Sequence, residues 1–251
     1  MNWLYDSHIH LSDPEYEKDI MFTLQSMKQL QIKACCVSMD FSNSKKTLDL
    51  AKQSDLVLPF IGIHPEKADD DLEKMVDLIT ENKEKISGIG EIGLDPSYVE
   101  SEDQSSRQKK VFETLLSLAE KFDKPVSIHS RKSLNEIYDI MPSFSLDKVL
   151  LHWFDGNKKQ LQKAMEMNFF VSFGPVMIYA DDKQAILSKT NQNKILIETD
   201  GPVRFSKCFG LKPAQISFIP SIVFCASKVL RKPFDEMCAL LEENSSAYLG
   251  I

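Results

Sequence analysis

Leu4-Tyr5-Asp6-Ser7-His8-Ile9-His10 is a short strand-like run that sets Leu4, Tyr5 and Ile9 among polar residues and carries two histidines at its end, and seven further short strand-like runs follow it. They lie at 32–38, 56–63, 86–93, 125–129, 148–152, 169–173 and 194–199. Several are almost wholly apolar, as strands covered on both faces should be. Helix-like stretches separate them at 16–30, 44–52, 70–83, 105–122, 132–141, 158–167 and 181–189, and the tail adds 213–230 and 233–249. Alternating strands and helices are the pattern of a parallel α/β fold. Ser12-x-x-Glu15, with Pro14 between, reads as a capping box opening the first helix.

Eight such strands give either a closed barrel or an open doubly wound sheet. Strand count, even spacing and a length of 251 residues favour the barrel, which typically takes roughly 250. The first strand is not followed by a Gly-x-Gly-x-x-Gly turn. Gly88-Ile-Gly90-Glu-Ile-Gly93 is glycine-rich but lies within a strand, so it is no dinucleotide fingerprint. The expectation is one (β/α)₈ TIM barrel of the metal-dependent hydrolase type, a single domain over residues 1–251.

Hydrophobic residues make up 43% and charged residues 27%, as in ordinary soluble globular proteins. The net charge of -7 argues against a protein held on nucleic acid by bulk charge. It leaves room for a nucleic-acid enzyme, because a pocket holding cations is locally positive. Asp69, Asp70, Asp71 and Glu73 read as the solvated first turn of a helix, where carboxylates suit the macrodipole. The five cysteines include no Cys-x-x-Cys, and the adjacent Cys35 and Cys36 sit in an apolar run that suits reduced packing residues. No apolar stretch approaches ~18 residues and no basic leader opens the chain. The expected location is the cytoplasm, with no membrane and no obligate protein partner.

All five histidines fall at or just beyond strand ends: His8 and His10 on the first, His64 after the third, His129 on the fifth and His152 on the sixth. Glu91 ends the fourth, and Asp200 follows the eighth. Active sites of TIM barrels form at the C-terminal strand ends, so the strand reading brings seven groups to one face. His-x-His on a strand turns both rings to one side. Taken singly, His152 reads as a core histidine and Asp200 as a helix cap. Glu91 between glycines is harder to explain that way, since a buried carboxylate needs a cation or donors. Imidazoles and carboxylates without thiolate suit divalent transition metals. Six ligands exceed one tetrahedral ion and suit two cations sharing a carboxylate. The expected cofactor is a pair drawn from Zn, Mn, Mg, Co or Ni.

These blocks resemble the TatD family of metal-dependent deoxyribonucleases, within the amidohydrolase-like barrels. The matching segments are Asp6-Ser-His8-Ile-His10-Leu11, Gly62-Ile-His64-Pro65, Gly90-Glu91-Ile92-Gly93-Leu94-Asp95, Pro125-Val-Ser-Ile-His129-Ser-Arg131, His152-Trp-Phe154-Asp-Gly156 and Glu198-Thr199-Asp200-Gly-Pro202. The resemblance implies that His8, His10, Glu91 and Asp200 hold one cation and Glu91, His129 and His152 the other, with Glu91 bridging. It further implies that His64 contacts a substrate phosphate, and that the activity is cleavage of DNA, often from the 3′ end. Two segments depart from the family. Pro96-Ser97-Tyr98 stands where many members carry aromatics, and Val203–Pro213 replaces an Arg-Gly-x-x-Asn-x-Pro segment.

Asp200 is the expected proton acceptor for the attacking water. Arg131 can grip phosphate bidentately, and Arg204, Lys207 and Lys212 are further candidate phosphate contacts. Trp153, Phe154, Tyr98 and Phe205 flank the expected site and are candidates for stacking on bases. The substrate expected is DNA or another phosphate ester. The alternatives are a phosphoesterase, amidase or aminoacyl-tRNA deacylase on the same barrel, and, last, a non-enzymatic protein with a vestigial metal site.

Overall fold

The computed structural model describes residues 2–251. Strands β1 (Leu4–Ile9), β2 (Ile32–Cys36), β3 (Val57–Ile61), β4 (Gly88–Gly93), β5 (Val126–His129), β6 (Val149–Leu151), β7 (Phe170–Phe173) and β8 (Ile195–Ile197) stand in sequence order in one parallel sheet. Between them run α1 (Ile20–Leu30), α2 (Phe41–Gln53), α3 (Leu72–Asn82), α4 (Glu102–Phe122), α5 (Leu134–Ile140), α6 (Lys158–Glu166) and α7 (Asp181–Leu187), and α8 (Ile219–Val229) and α9 (Phe234–Leu249) follow β8. The sheet curls into a nearly closed (β/α)₈ TIM barrel. Its seam lies just past the end of β8, where the Asp200 N–H donates to the His8 carbonyl at 3.0 Å and His10 N–H to the Gly201 carbonyl at 2.8 Å.

Successive strand side chains point to opposite faces, and here the two faces meet different cores. Val149 and Leu151 of β6, Val171 and Phe173 of β7, and Ile195 and Ile197 of β8 pack outward under the helices. Leu150, Phe170 and Leu196, at alternate positions of the same strands, face inward with Tyr5, Cys35 and Phe60, and α9 adds Tyr248 and Leu249 to the same cluster. Cys35 and Cys36 thus divide between the two cores as free, buried packing residues. Two residues further along each inward line the chemistry changes: Leu150 gives way to His152, Phe170 to Ser172 and Leu196 to Glu198. One end of the barrel is plugged with apolar groups and the other lined with buried polar ones.

Local signals explain most helix starts. Asn157 and Gln160 form a capping box on α6, and Ser101 caps α4. The expected capping box at Ser12–Glu15 does not form. Asp13 instead caps a single 3₁₀ turn, Pro14–Tyr16, and α1 begins only at Ile20. That turn buries the Tyr16 ring, whose hydroxyl donates to the Ala214 carbonyl. At the other end of the chain the helix expected from 213 starts at Ile219, because Pro213 pairs with Arg204 in a short antiparallel bridge and a 3₁₀ turn, Ile216–Phe218, intervenes. The acidic run is more than a solvated turn. Asp71 caps α3, Asp70 accepts from the Phe41 N–H at 2.7 Å, and Asp69 pairs with Arg107 at 2.8 Å. Among the described residues no helix is long and apolar enough to cross a membrane.

Candidate metal centre

The polar end of the barrel gathers side chains that are far apart in sequence. His8 Nε2 and His10 Nε2 stand 3.3 Å apart. Each lies 3.4 Å from Glu91 Oε2, and they lie 3.7 and 3.5 Å from Asp200 Oδ1. Atoms about 2.1 Å from one ion at a tetrahedral angle stand about 3.4 Å apart. The donor set therefore fits a divalent cation by spacing as well as by chemistry, with two imidazole nitrogens turned toward one point.

Glu91 offers its other oxygen to a second group. Oε1 lies 2.8 Å from His152 Nε2 and 2.9 Å from His129 Nδ1, with His64 Nε2 at 3.6 Å. Three sets of ligand-type atoms close enough to share an ion occur here: His8 with His10 and Glu91, His64 with Glu91 and His129, and His8 with His152 and Glu198.

Neighbours fix how these rings point. The far nitrogen of His129, Nε2, lies 2.9 Å from Asp95 Oδ2, and the Ser97 N–H donates to Asp95 Oδ1 at 2.9 Å. A carboxylate behind a histidine sets its tautomer and raises its basicity. Ser127 Oγ sits 2.8 Å from His8 Nδ1, while Glu198 Oε1 accepts the Trp153 N–H at 2.8 Å and lies 3.8 Å from His152 Nδ1. Gly93 permits the strand pairing that brings His129 close, since a Cβ there would come within 2.0 Å of the His129 carbonyl oxygen. Asp6, wholly buried, accepts from the Thr199 N–H at 3.0 Å, from its hydroxyl at 2.5 Å and from the His8 N–H at 3.2 Å. It thereby ties the start of the barrel to the turn that carries Asp200. Asp200 and Trp153 both take left-handed backbone, with φ of 50° and 40°, a conformation that costs on the order of 1–3 kcal/mol and collects at functional sites.

The ionisation pattern follows from the packing. Burial opposes the charge on Glu91, but the imidazoles around it hold its carboxyl well below the usual range. Burial pushes His8 down to about 4. Burial likewise disfavours charge on His10, His129 and His152, yet the facing carboxylates win and raise all three. Burial also drives His64 down to about 4, so its ring is neutral at neutral pH. Its Nδ1 accepts the Glu66 N–H at 3.1 Å, which leaves the ring proton on Nε2, facing the centre.

Residues 5–250 match the family model described as TatD related DNase. The chain belongs to the TatD family. It is 29% identical over 213 residues to the human protein named Deoxyribonuclease TATDN3, covering 79% of this chain and 78% of that one. It is 26% identical to a Bacillus subtilis protein named Uncharacterized metal-dependent hydrolase YabD, over 99% of both chains. The crystal structure of YjjV, a TatD homologue from Escherichia coli, superposes with a TM-score of 0.89 at 22% identity, covering 99% of this chain and 98% of that one. This TatD protein is a metal-dependent hydrolase by family, and its His/Glu clusters are of the kind that bind metal.

Of the residues singled out in the sequence, His10, His64, Glu91, His129, His152 and Asp200 line one cavity of about 590 Å³, with His8 buried behind them. Arg131 lines it too and has no ion-pair partner among the described residues. Arg204 does not reach this wall, because Glu15 holds it at 2.7 Å and the Leu211 carbonyl accepts from it at 3.1 Å. Of the four aromatics, Tyr98 and Trp153 line the cavity. Phe154 belongs to the outer core, and the buried Phe205 packs behind Trp153 at 5.6 Å. Asp95, Ser127, Glu198 and Asp6 had no role in the sequence reading, although all four lie inside the motif blocks.

Proposed function

We propose that this chain cleaves phosphodiester bonds of DNA by attack of water, using two divalent cations that share Glu91. The reading rests above all on Glu91, whose two oxygens each face a separate set of imidazoles. His8, His10 and Asp200 would hold one cation beside Oε2, and His129 and His152 the other beside Oε1. Such ions supply a water of lowered pKa and neutralise a phosphate oxygen. Asp200, on the cavity wall, takes the proton of the attacking water and returns it to the leaving oxygen. His64 donates its Nε2 proton to a non-bridging phosphate oxygen, stabilising the charge that develops there. Arg131 reaches the same phosphate from the β5 end as a planar, permanently charged fork.

The test is turnover of labelled single- and double-stranded DNA, RNA, phosphate monoesters and an aminoacyl ester by metal-loaded protein, with Asp200→Asn as the control. Hydrolysis of DNA lost in the variant is the expected result. Cleavage confined to the monoester or aminoacyl ester would assign the site to that chemistry instead.

A further inference from the structure

The cavity wall is poor in positive charge. Among the described residues that line it, Arg131 is the one Lys or Arg, while Asp13, Glu66 and Asp155 stand on the same wall apart from the ligand set. Three nearby cations are already engaged. Lys183 is bonded to Asp155, Lys67 lies 3.6 Å from Glu66, and Arg204 lies 2.7 Å from Glu15. A protein that follows a nucleic-acid strand supplies a cation for each phosphate it neutralises, and acids on the path repel the rest. The same wall carries two aromatic groups. Tyr98, 40% exposed, stands edge-on to His64 at 5.9 Å, and Trp153 is braced by Phe205. Tyr98 is exposed and Trp153 partly so, and aromatic faces open to a binding wall stack on bases whatever their sequence. The cavity, about 590 Å³, is the size of a small-molecule pocket.

We infer that the site grips one phosphodiester together with the two nucleosides it joins, so that dinucleotides and very short fragments are full substrates and longer strands gain nothing from their additional phosphates. The inference rests on the phosphodiesterase reading above and adds the size of the substrate to it.

The experiment compares kcat/KM of the metal-loaded protein for bis(4-nitrophenyl) phosphate, a dinucleotide and a single strand of about twenty nucleotides between about 50 and 200 mM salt. The dinucleotide and the long strand should agree within about threefold, and log kcat/KM should fall against log salt with a slope of about −0.7, the value for one neutralised phosphate of a single strand. A long strand favoured by tenfold or more, or a slope of about −2 or steeper, would overturn the inference. So would cleavage of the aryl diester without cleavage of the dinucleotide. If no diester is cleaved, the aryl compound included, the phosphodiesterase reading itself falls and takes this one with it.

The double variant Glu66→Gln with Asp155→Asn removes two rim acids and leaves the Lys183 charge without its carboxylate. It leaves His64 in place, because Glu66 touches that ring through its main-chain N–H. Its expected effect is about a tenfold rise in kcat/KM for the long strand with the dinucleotide unchanged, the scale on which local charge alters encounter. No rise for the long strand would mean that the rim does not set substrate length.

Discussion

On the β1 and β8 side of Glu91 the donor atoms stand 3.3–3.7 Å apart, whereas on the β5 and β6 side His129 and His152 close to 2.9 and 2.8 Å on a single oxygen. The wider spacing is that of atoms around a shared ion, and the narrower is that of hydrogen bonds from ring N–H groups to a carboxylate oxygen. A cation entering the proposed second site would have to displace those protons and open the donors, which the spacing of the first does not require. The first half draws on four side chains, and the second leans on Asp95 to aim one of its two imidazoles. The halves should therefore differ in affinity, in pH response and in what disables them.

Full chelation should abolish turnover, and added divalent metal should restore it. In a graded chelator titration, metal analysis alongside rates should show the β5/β6 cation leaving first. Simultaneous loss of both ions would erase the proposed difference, and full turnover by metal-free protein would remove metals from the chemistry altogether. Asp200→Asn disables the first half alone. The rate should drop by about 10²–10⁴-fold, as for loss of a positioned base, with an unchanged circular dichroism spectrum. Rescue by excess metal would make Asp200 a ligand without a proton role.

His64→Ala should touch neither half. Metal stoichiometry should stay at the wild-type value while kcat/KM falls about 10²-fold, like other charge-stabilising donors; loss of one ion per chain would move His64 into the ligand set. Asp95→Asn should weaken the second cation by about 10–100-fold, the usual cost of removing a group behind a ligand, and leave the first alone. Cobalt-loaded protein reports this through its visible absorption, which a purely structural role would not alter.

The smallest effect is in protons. His8 is already neutral at pH 7 and His10 is raised, whereas both His129 and His152 are raised. Each raised imidazole must lose a proton to bind metal, so affinity should fall with pH more steeply in the second half. Calorimetry at neutral pH in buffers of different ionisation enthalpy counts those protons, and equal release by both halves would refute the assignment.

The sequence foretold the barrel and its polar end unevenly. The eight strands were legible because buried parallel strands are apolar on both faces, and six of their C-terminal ends, all but those of β2 and β7, were marked by a histidine, glutamate or aspartate that such runs otherwise exclude. The supporting groups were hidden for a geometric reason. Ser127 lies 119 residues from His8, and Asp6 lies 193 from Thr199, so no local spacing links them. Ser12 and Glu15 carry a correct helix-start pattern, yet Tyr16 is drawn inward to Ala214 and the chain turns before α1. Arg204 sits two residues after Pro202 in sequence, but pairing with Glu15 takes it from the cavity.

The seam at Asp6 and Thr199 has a consequence for how this protein is made. One half of the proposed metal centre would take His8 and His10 from the first strand and Asp200 from the turn after the eighth. A chain still emerging from the ribosome holds the histidines early but lacks the aspartate and the closing bonds until β8 is out. On that assignment, chemistry would be reserved for the finished barrel. Once closed, a cation held across that seam would strengthen the closure itself, by about 2.7 kcal/mol when present at a hundredfold excess over its Kd.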